Sequence, residues 1–231
     1  MDNEQEKAIA EIEALGGTVE KSSGKPGIQV SFGFLPVTDA GLEQFKRLAH
    51  LQGLDLKGTQ VTGAGLEHLK GLPELQWLDL RRTQVTDAAL EHLKGLSQLL
   101  LLNLWATPVT DAGLEHLEGL TQLLWLELSW TKVTGTGLKH LKGLTQLRRL
   151  GLKGTQVTDA GMEHLSGLTE LQWLDLHKTQ VTDSGLTHLE GLSQLQGLDL
   201  CDTQVTDAGM EHLKGVRPCD HRRKVARGLF P

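Results

Sequence analysis

Four residues toward the C-terminal end carry the side chains that covalent catalysis or zinc binding requires. Asp175 and His177 stand two apart in "LDLHKT", and Asp199 and Cys201 stand two apart in "LDLCDT", 24 residues later. A thiol beside an imidazole and a carboxylate supplies a nucleophile, its base and an orienting group. On a flat strand, however, such a trio has no oxyanion hole and no dry pocket around it. Cys201 is therefore expected to be an ordinary small side chain. The expectation is of a chain that is not an enzyme, with no catalytic residue, no metal and no cofactor; a Cys/His-dependent enzyme at the Cys201 corner is the weakest alternative.

Two further sets of residues recur. Histidine appears at His68, His92, His116, His140, His164, His188 and His212. Imidazoles strung along a line do not converge on one ion, so copying of a unit explains them better than metal binding does. The five tryptophans, Trp77, Trp105, Trp125, Trp130 and Trp173, fall in a narrow part of the same repeating pattern. Their setting decides what they can do.

That pattern has a period of 24. Copies begin at Leu35, Thr59, Thr83, Thr107, Thr131, Thr155, Thr179 and Thr203, the last cut short. In the copy from Thr83, the apolar columns are Val85, Leu90, Leu93, Leu96, Leu99, Leu102 and Leu104. Leu102 and Leu104 are two apart, as on one face of a strand, whereas Leu90, Leu93 and Leu96 recur at threes, as along one side of a short helix. Each copy therefore reads as strand, turn, helix and return. Thr86 is placed to cap the helix with its hydroxyl, Asp87 to meet its positive end, and Gly95 to stop it in a left-handed conformation. Gly63 and Gly135 replace the aspartate in two copies and should weaken those helix starts. A unit this short cannot bury its own leucines, so copies must stack strand beside strand.

With these columns, "LxxLxLxxTxVTDxGLxxLxxL" closely resembles the leucine-rich repeat family, in particular the 24-residue forms with "TDxGL" found in bacterial repeat proteins and beside F-box domains. The resemblance spans residues 28 to about 215. It implies an α/β solenoid, a horseshoe with a parallel β-sheet on the concave face and short helices on the convex face, used mostly as a protein-binding scaffold. The family usually has Asn or Cys where this chain has Thr59, Thr83, Thr107, Thr131, Thr155, Thr179 and Thr203; a threonine hydroxyl can still bond the backbone at that turn.

The ends read differently. Residues 1–27 are expected to form a helical cap, with Ile9, Ile12 and Leu15 on its apolar side and "IQVSF" as strand one. Residues 28–215 form the repeat domain of eight strands. Residues 216–231 form a basic tail in which Cys219, Arg222 and Lys224 replace the leucines of a further strand, so no ninth strand is expected.

Charge bounds the partners. The net charge is -6, and the five Lys/Arg and one acid of the tail leave -10 for residues 1–215. A body that acidic does not displace counterions from a phosphate backbone, which argues against nucleic acid. No apolar run approaches the length that spans a bilayer, and the acidic "MDNEQEKAIAEIEALGG" is unlike a secretory signal. With two cysteines and no disulfide framework, a cytoplasmic monomer is expected.

Along each strand, the residues alternating with the buried leucines face the hollow, with one more at its rim. These positions hold Trp77, Trp105, Trp125 and Trp173, with Trp130 at the rim; Arg81, Arg82, Arg149 and Lys153 provide the cations. Asp79, Glu127 and Asp175 belong to an acidic column, and His177 ends the group. Tryptophan and arginine on an open sheet are the composition of binding hot spots, and Arg149 stands between Trp125 and Trp173 at cation-π range. The rings could instead only shield the sheet. The acidic column reads equally as a ladder compensated by Lys57, Arg81, Arg149, Lys153 and Lys178 or as a surface for a basic partner. The expected activity is binding of a protein or peptide on the concave face. A substrate-recognition adaptor of a ubiquitin-ligase-like complex is the alternative.

Overall fold

In the computed structural model, residues 3–21, 27–211, 213 and 216–218 are described. They form a ten-stranded sheet in sequence order. The strands are β1 (Thr18–Lys21), β2 (Ile28–Ser31), β3 (Leu51–Asp55), β4 (Trp77–Asp79), β5 (Leu101–Asn103), β6 (Trp125–Glu127), β7 (Arg149–Gly151), β8 (Trp173–Asp175), β9 (Gly197–Asp199) and β10 (Arg217–Pro218). β1 pairs antiparallel with β2, and every later pairing is parallel. One repeat of 24 residues advances the chain by one strand, so Trp77, Leu101, Trp125, Arg149 and Trp173 stand directly beside one another.

The seven columns close behind the sheet as their spacing requires. Val85, Leu90, Leu93, Leu99 and Leu104 are fully buried, with Leu96 and Leu102 nearly so. In most copies the convex element begins as one α-helical turn, for example Asp87–Leu90, and continues as a 3-10 turn, Glu91–Leu93, whereas Asp39–Arg47 and Gly135–Leu141 are 3-10 throughout. A 3-10 helix has three residues per turn, which keeps Leu90 and Leu93 on the same side. The threonine column works as expected: Thr83 Oγ1 donates to the carbonyl of Leu80 at 2.6 Å, and Thr107, Thr131 and Thr155 repeat the bond. This closes the turn that carries the chain off the strand.

Several local expectations are corrected. Helix α1 (Asn3–Ala14) covers the end of the core with Ala8, Ile9 and Ile12, but Leu15 lies past the helix and is 44 % exposed. Arg47 on the first convex helix forms an ion pair with Glu11 of α1. A hairpin-like strand, β1, adds to the cap. At the other end β10 forms, because pairing with Gly197 and Leu198 needs only backbone groups and no leucines; Pro218 has no N–H for a further strand. Gly71 and Gly95 adopt the left-handed conformation after their helices, at φ 77 and 93, but Gly119, Gly143, Gly167 and Gly191 at that position do not. Thr86 makes no side-chain cap, whereas Thr62, Thr110, Thr134 and Thr182 do. His212, Cys219 and the tail beyond residue 218 lie outside the described residues.

The concave rim has its own backbone signature. Phe34, Arg82, Ala106, Trp130, Lys178 and Asp202 occupy the left-handed region at φ 54 to 63, and Gly58 and Gly154 take the same place in their copies. This conformation costs a non-glycine residue ~1 kcal/mol or more. It persists because the N–H groups here still pair with the next strand, as Arg82 does with the carbonyl of Trp105 at 2.9 Å and Trp130 with that of Lys153 at 2.8 Å.

Candidate functional site

The tryptophans all reach the concave face or its rim, but not as one open patch. Trp77 is only 8 % exposed. Its ring lies over Gly53 on β3, where an added Cβ would come within 2.0 Å of the indole. Trp173 lies over Gly197 on β9 in the same way. A glycine on the adjoining strand is thus a seat for a neighbour's indole. Trp77 is sealed into the sheet, which corrects its expected place among accessible contacts. At the rim, Trp130 leans over Gly154 yet stays 43 % exposed, with the ammonium of Lys178 6.0 Å from its ring centre.

The acidic column lies beneath this layer. The carboxylates of Asp55, Asp79, Glu127, Asp175 and Asp199, and the amide of Asn103, each accept the backbone N–H two residues ahead, at 2.9 to 3.1 Å. The column is therefore used by its own chain to bend each strand into the rim turn. Burial pushes the carboxyl of Asp79 up to about 6, against the lowering effects of the Arg81 N–H and guanidinium. Burial likewise raises Glu127 and Asp175. The cations stand above: Arg81 pairs with Asp79 at 2.9 Å and Lys57 with Asp55 at 2.6 Å, yet the Arg81 side chain is 36 % exposed and that of Asp79 only 1 %. Of the two readings of the acidic column, this favours the compensated ladder over a surface for a basic partner in the first half of the sheet. What faces outward there is basic and aromatic.

Between the rim and β6 the hollow deepens into a pocket of about 440 Å³ lined by Phe34, Lys57, Arg81, Arg82, Asn103, Trp105, Trp125 and Glu127. Arg82 lies over the Trp105 ring at 4.8 Å and Arg149 over that of Trp125 at 5.9 Å. Of the residues singled out in sequence, Arg81, Arg82, Trp105, Trp125 and Glu127 meet here. Arg149, Lys153, Trp173, Asp175 and His177 belong to later repeats, and they and Trp130, at the rim after β6, lie outside the lining. Phe34, 62 % exposed, was missed, although it shares the rim position with Trp130 and was legible from it.

No protein-family model matches this sequence, and no curated protein matches it. Solved structures do. Internalin C2 of Listeria monocytogenes is 28 % identical with a TM-score of 0.68, over 81 % of this chain and 77 % of that one. An internalin, InlF, of the same organism is 21 % identical with a TM-score of 0.59, over 79 % of this chain and 58 % of that one. The chain is a leucine-rich-repeat protein.

Two sets of potential ligands remain in this leucine-rich-repeat protein. Among the described residues, the repeated histidines from His68 to His188 run along the convex side and do not gather around a point; His140 pairs with Glu118 at 2.5 Å. The corner at β8 and β9 does gather. An imidazole nitrogen of His177, an Asp199 oxygen and the Cys201 sulfur lie within 4.8 Å of one another. Asp175, named with them, is not part of this group; it accepts the His177 N–H at 3.0 Å, as Asp199 accepts the Cys201 N–H. Among the described residues no helix is long and apolar enough to cross a membrane.

Proposed function

We propose that this chain is a protein-interaction scaffold that seats a protein segment on its concave face, with the pocket of Trp105 and Trp125 at the centre. The observation that carries this reading is the layering of charge: acids are turned down onto the chain's own N–H groups while Lys57, Arg81 and Arg82 stand around the half-buried rings of Trp105 and Trp125 and the exposed ring of Phe34. An aromatic pocket with a cationic edge suits a segment that combines an apolar anchor with Asp or Glu. Its likeness to internalins supports a scaffold rather than an enzyme. The binding unit is a monomer, placed in the cytoplasm on the strength of a chain with two cysteines, and its partner is neither nucleic acid nor membrane. No observation favours the ubiquitin-ligase adaptor.

Selection of random peptides on the immobilised protein tests this. Peptides with an acidic residue near an apolar anchor are expected, with at least tenfold weaker binding to Trp105→Ala and Trp125→Ala. Peptides that bind these variants and wild type equally would overturn the reading.

A further inference from the structure

The repeat places a different chemistry at the far end of the same face. The residue before the rim is Gly33, Lys57, Arg81, Trp105, Ser129 or Lys153 in the earlier copies; only the last two offer an imidazole and a thiol, His177 and Cys201. β8 and β9 run in register, and the chain keeps that register beyond them: the Leu176 N–H donates to the Asp199 carbonyl at 2.8 Å, and the Lys178 N–H to the Cys201 carbonyl at 2.9 Å. His177 and Cys201 are therefore lateral neighbours, and Asp199 stands two residues before Cys201 on the same face. Three unlike donors converge because three periodicities coincide: two along the strand, 24 along the chain, and one strand spacing across the sheet.

We propose that His177, Asp199 and Cys201 form a binding site for a zinc ion. Nitrogen, oxygen and sulfur are the three donor types that Zn²⁺ accepts together, and thiolate selects it over the hard cations Ca²⁺ and Mg²⁺. Bonds of about 2.0 to 2.3 Å set tetrahedral ligand atoms roughly 3.5 Å apart. The present spacing, within 4.8 Å, needs only side-chain rotation to close. Imidazole Nδ1 faces the Asp199 oxygen at 3.8 Å.

A second feature, separate from the trio, fits the same ion. The other imidazole nitrogen, Nε2, lies 3.4 Å from the carboxylate of Asp202. A carboxylate that receives the distal N–H of a ligating histidine fixes the ring's orientation and strengthens it as a donor. The His177 side chain is only 11 % exposed, and the Trp173 indole over Gly197 walls the approach two residues before Asp199. Asp175, Asp199 and Asp202 face one imidazole and two cations, Lys153 and Lys178, which leaves a surplus of negative charge for a dication. Binding converts the Cys201 thiol to a zinc-bound thiolate and releases its proton to solvent. The fourth position stays open to water. This revises the expectation that Cys201 is only a small side chain.

The test uses the full chain, stripped with chelator and titrated with Zn²⁺ or Co²⁺ alone. Because the chain has a second cysteine, Cys219, the reference protein is Cys219→Ser. One Zn²⁺ per chain is expected, and Co²⁺ should give a thiolate-to-metal charge-transfer band that Cys201→Ser removes. His177→Gln should weaken zinc binding at least 100-fold and Asp202→Asn about 10- to 100-fold. His116→Gln, on the convex side, should leave the band unchanged. Cys201→Ser is nearly isosteric at a partly exposed site; circular dichroism checks its fold, and the histidine and Asp202 variants test the same site through other residues. A missing charge-transfer band in the reference protein, a band that survives Cys201→Ser, or equal affinity in His177→Gln would overturn the proposal.

Discussion

The carboxylate of Asp87 receives two hydrogen bonds from Thr110 in the next repeat, one from its N–H at 2.7 Å and one from its hydroxyl at 2.6 Å. Asp39 does the same with Thr62, Asp111 with Thr134, Asp159 with Thr182 and Asp183 with Thr206. The aspartate that reads as a helix-start residue is therefore also a clasp between neighbouring repeats. Thr86 and Thr158 lack the clasp because the residues that would supply it are Gly63 and Gly135.

Removing a clasp should loosen the stack where it acts. Asp111 also accepts the Thr136 hydroxyl at 2.6 Å, so Asp111→Ala releases three donors. A loss of ~2 to 3 kcal/mol is expected in urea unfolding, on the scale of hydrogen bonds to a charged group at a half-buried site. A loss under ~0.5 kcal/mol would show that solvent replaces the carboxylate without cost.

The clasp also explains a glycine two residues further along the next repeat. A Cβ on Gly113 would come within 2.5 Å of the Asp87 carboxylate, and one on Gly137 within 2.4 Å of that of Asp111. Ala89 stands at this position where the preceding repeat has Gly63 instead of aspartate. Gly63→Asp alone is expected to be neutral or destabilising, and Ala89→Gly alone to cost about 1 kcal/mol. Together they should be favourably coupled by ~1 to 2 kcal/mol, read from a double-mutant cycle of unfolding free energies. Additive values would remove the link between the two columns.

Burial of Asp79 gives a pH dependence of definite sign. Its carboxyl is raised from 3.8 to about 6 in the folded chain, so between roughly pH 4 and 6 the folded state holds a proton that the unfolded state has released. Stability from this group is therefore full at low pH, falls as pH rises through that window, and stays lost above it. Asparagine keeps the acceptor for the Arg81 N–H, as Asn103 does for Trp105 one strand on. Asp79→Asn is expected to flatten the window and to be more stable than wild type at pH 7.5 by ~1 to 2 kcal/mol, after losing the Arg81 ion pair. Urea midpoints at pH 4.5, 6 and 7.5 check this, and a less stable variant at pH 7.5 would mean that the ion pair outweighs burial.

The leucine and valine columns, the strand register and the threonine turns were legible in the sequence, because each follows from a short period repeated within a copy. Leu102 and Leu104 need no partner's identity to declare which way they face. What escaped that reading depends on the neighbouring copy. Asp87 acts 23 residues ahead of itself, and Trp77 is sealed by the glycine it lies over, Gly53, 24 residues behind it. Arg149 reaches one of its two expected rings, Trp125, at 5.9 Å. The acidic column was visible, but its use by backbone N–H groups arises only once the strand turns sharply at the rim.

The sequence by itself determined the solenoid, since no 24-residue unit can bury seven apolar side chains without another beside it. Tertiary structure decided which concave groups remain accessible. Strands about 4.8 Å apart leave each large side chain to lie over a neighbour or stand out. That choice depends on the residue across the sheet: Trp77 settles over a glycine, while the exposed cations stand above carboxylates that have turned to the backbone. The meeting of His177, Asp199 and Cys201, by contrast, already follows from the 24-residue period that lays one copy beside the next, and only the approach of Asp202 to the imidazole waited on the tertiary structure.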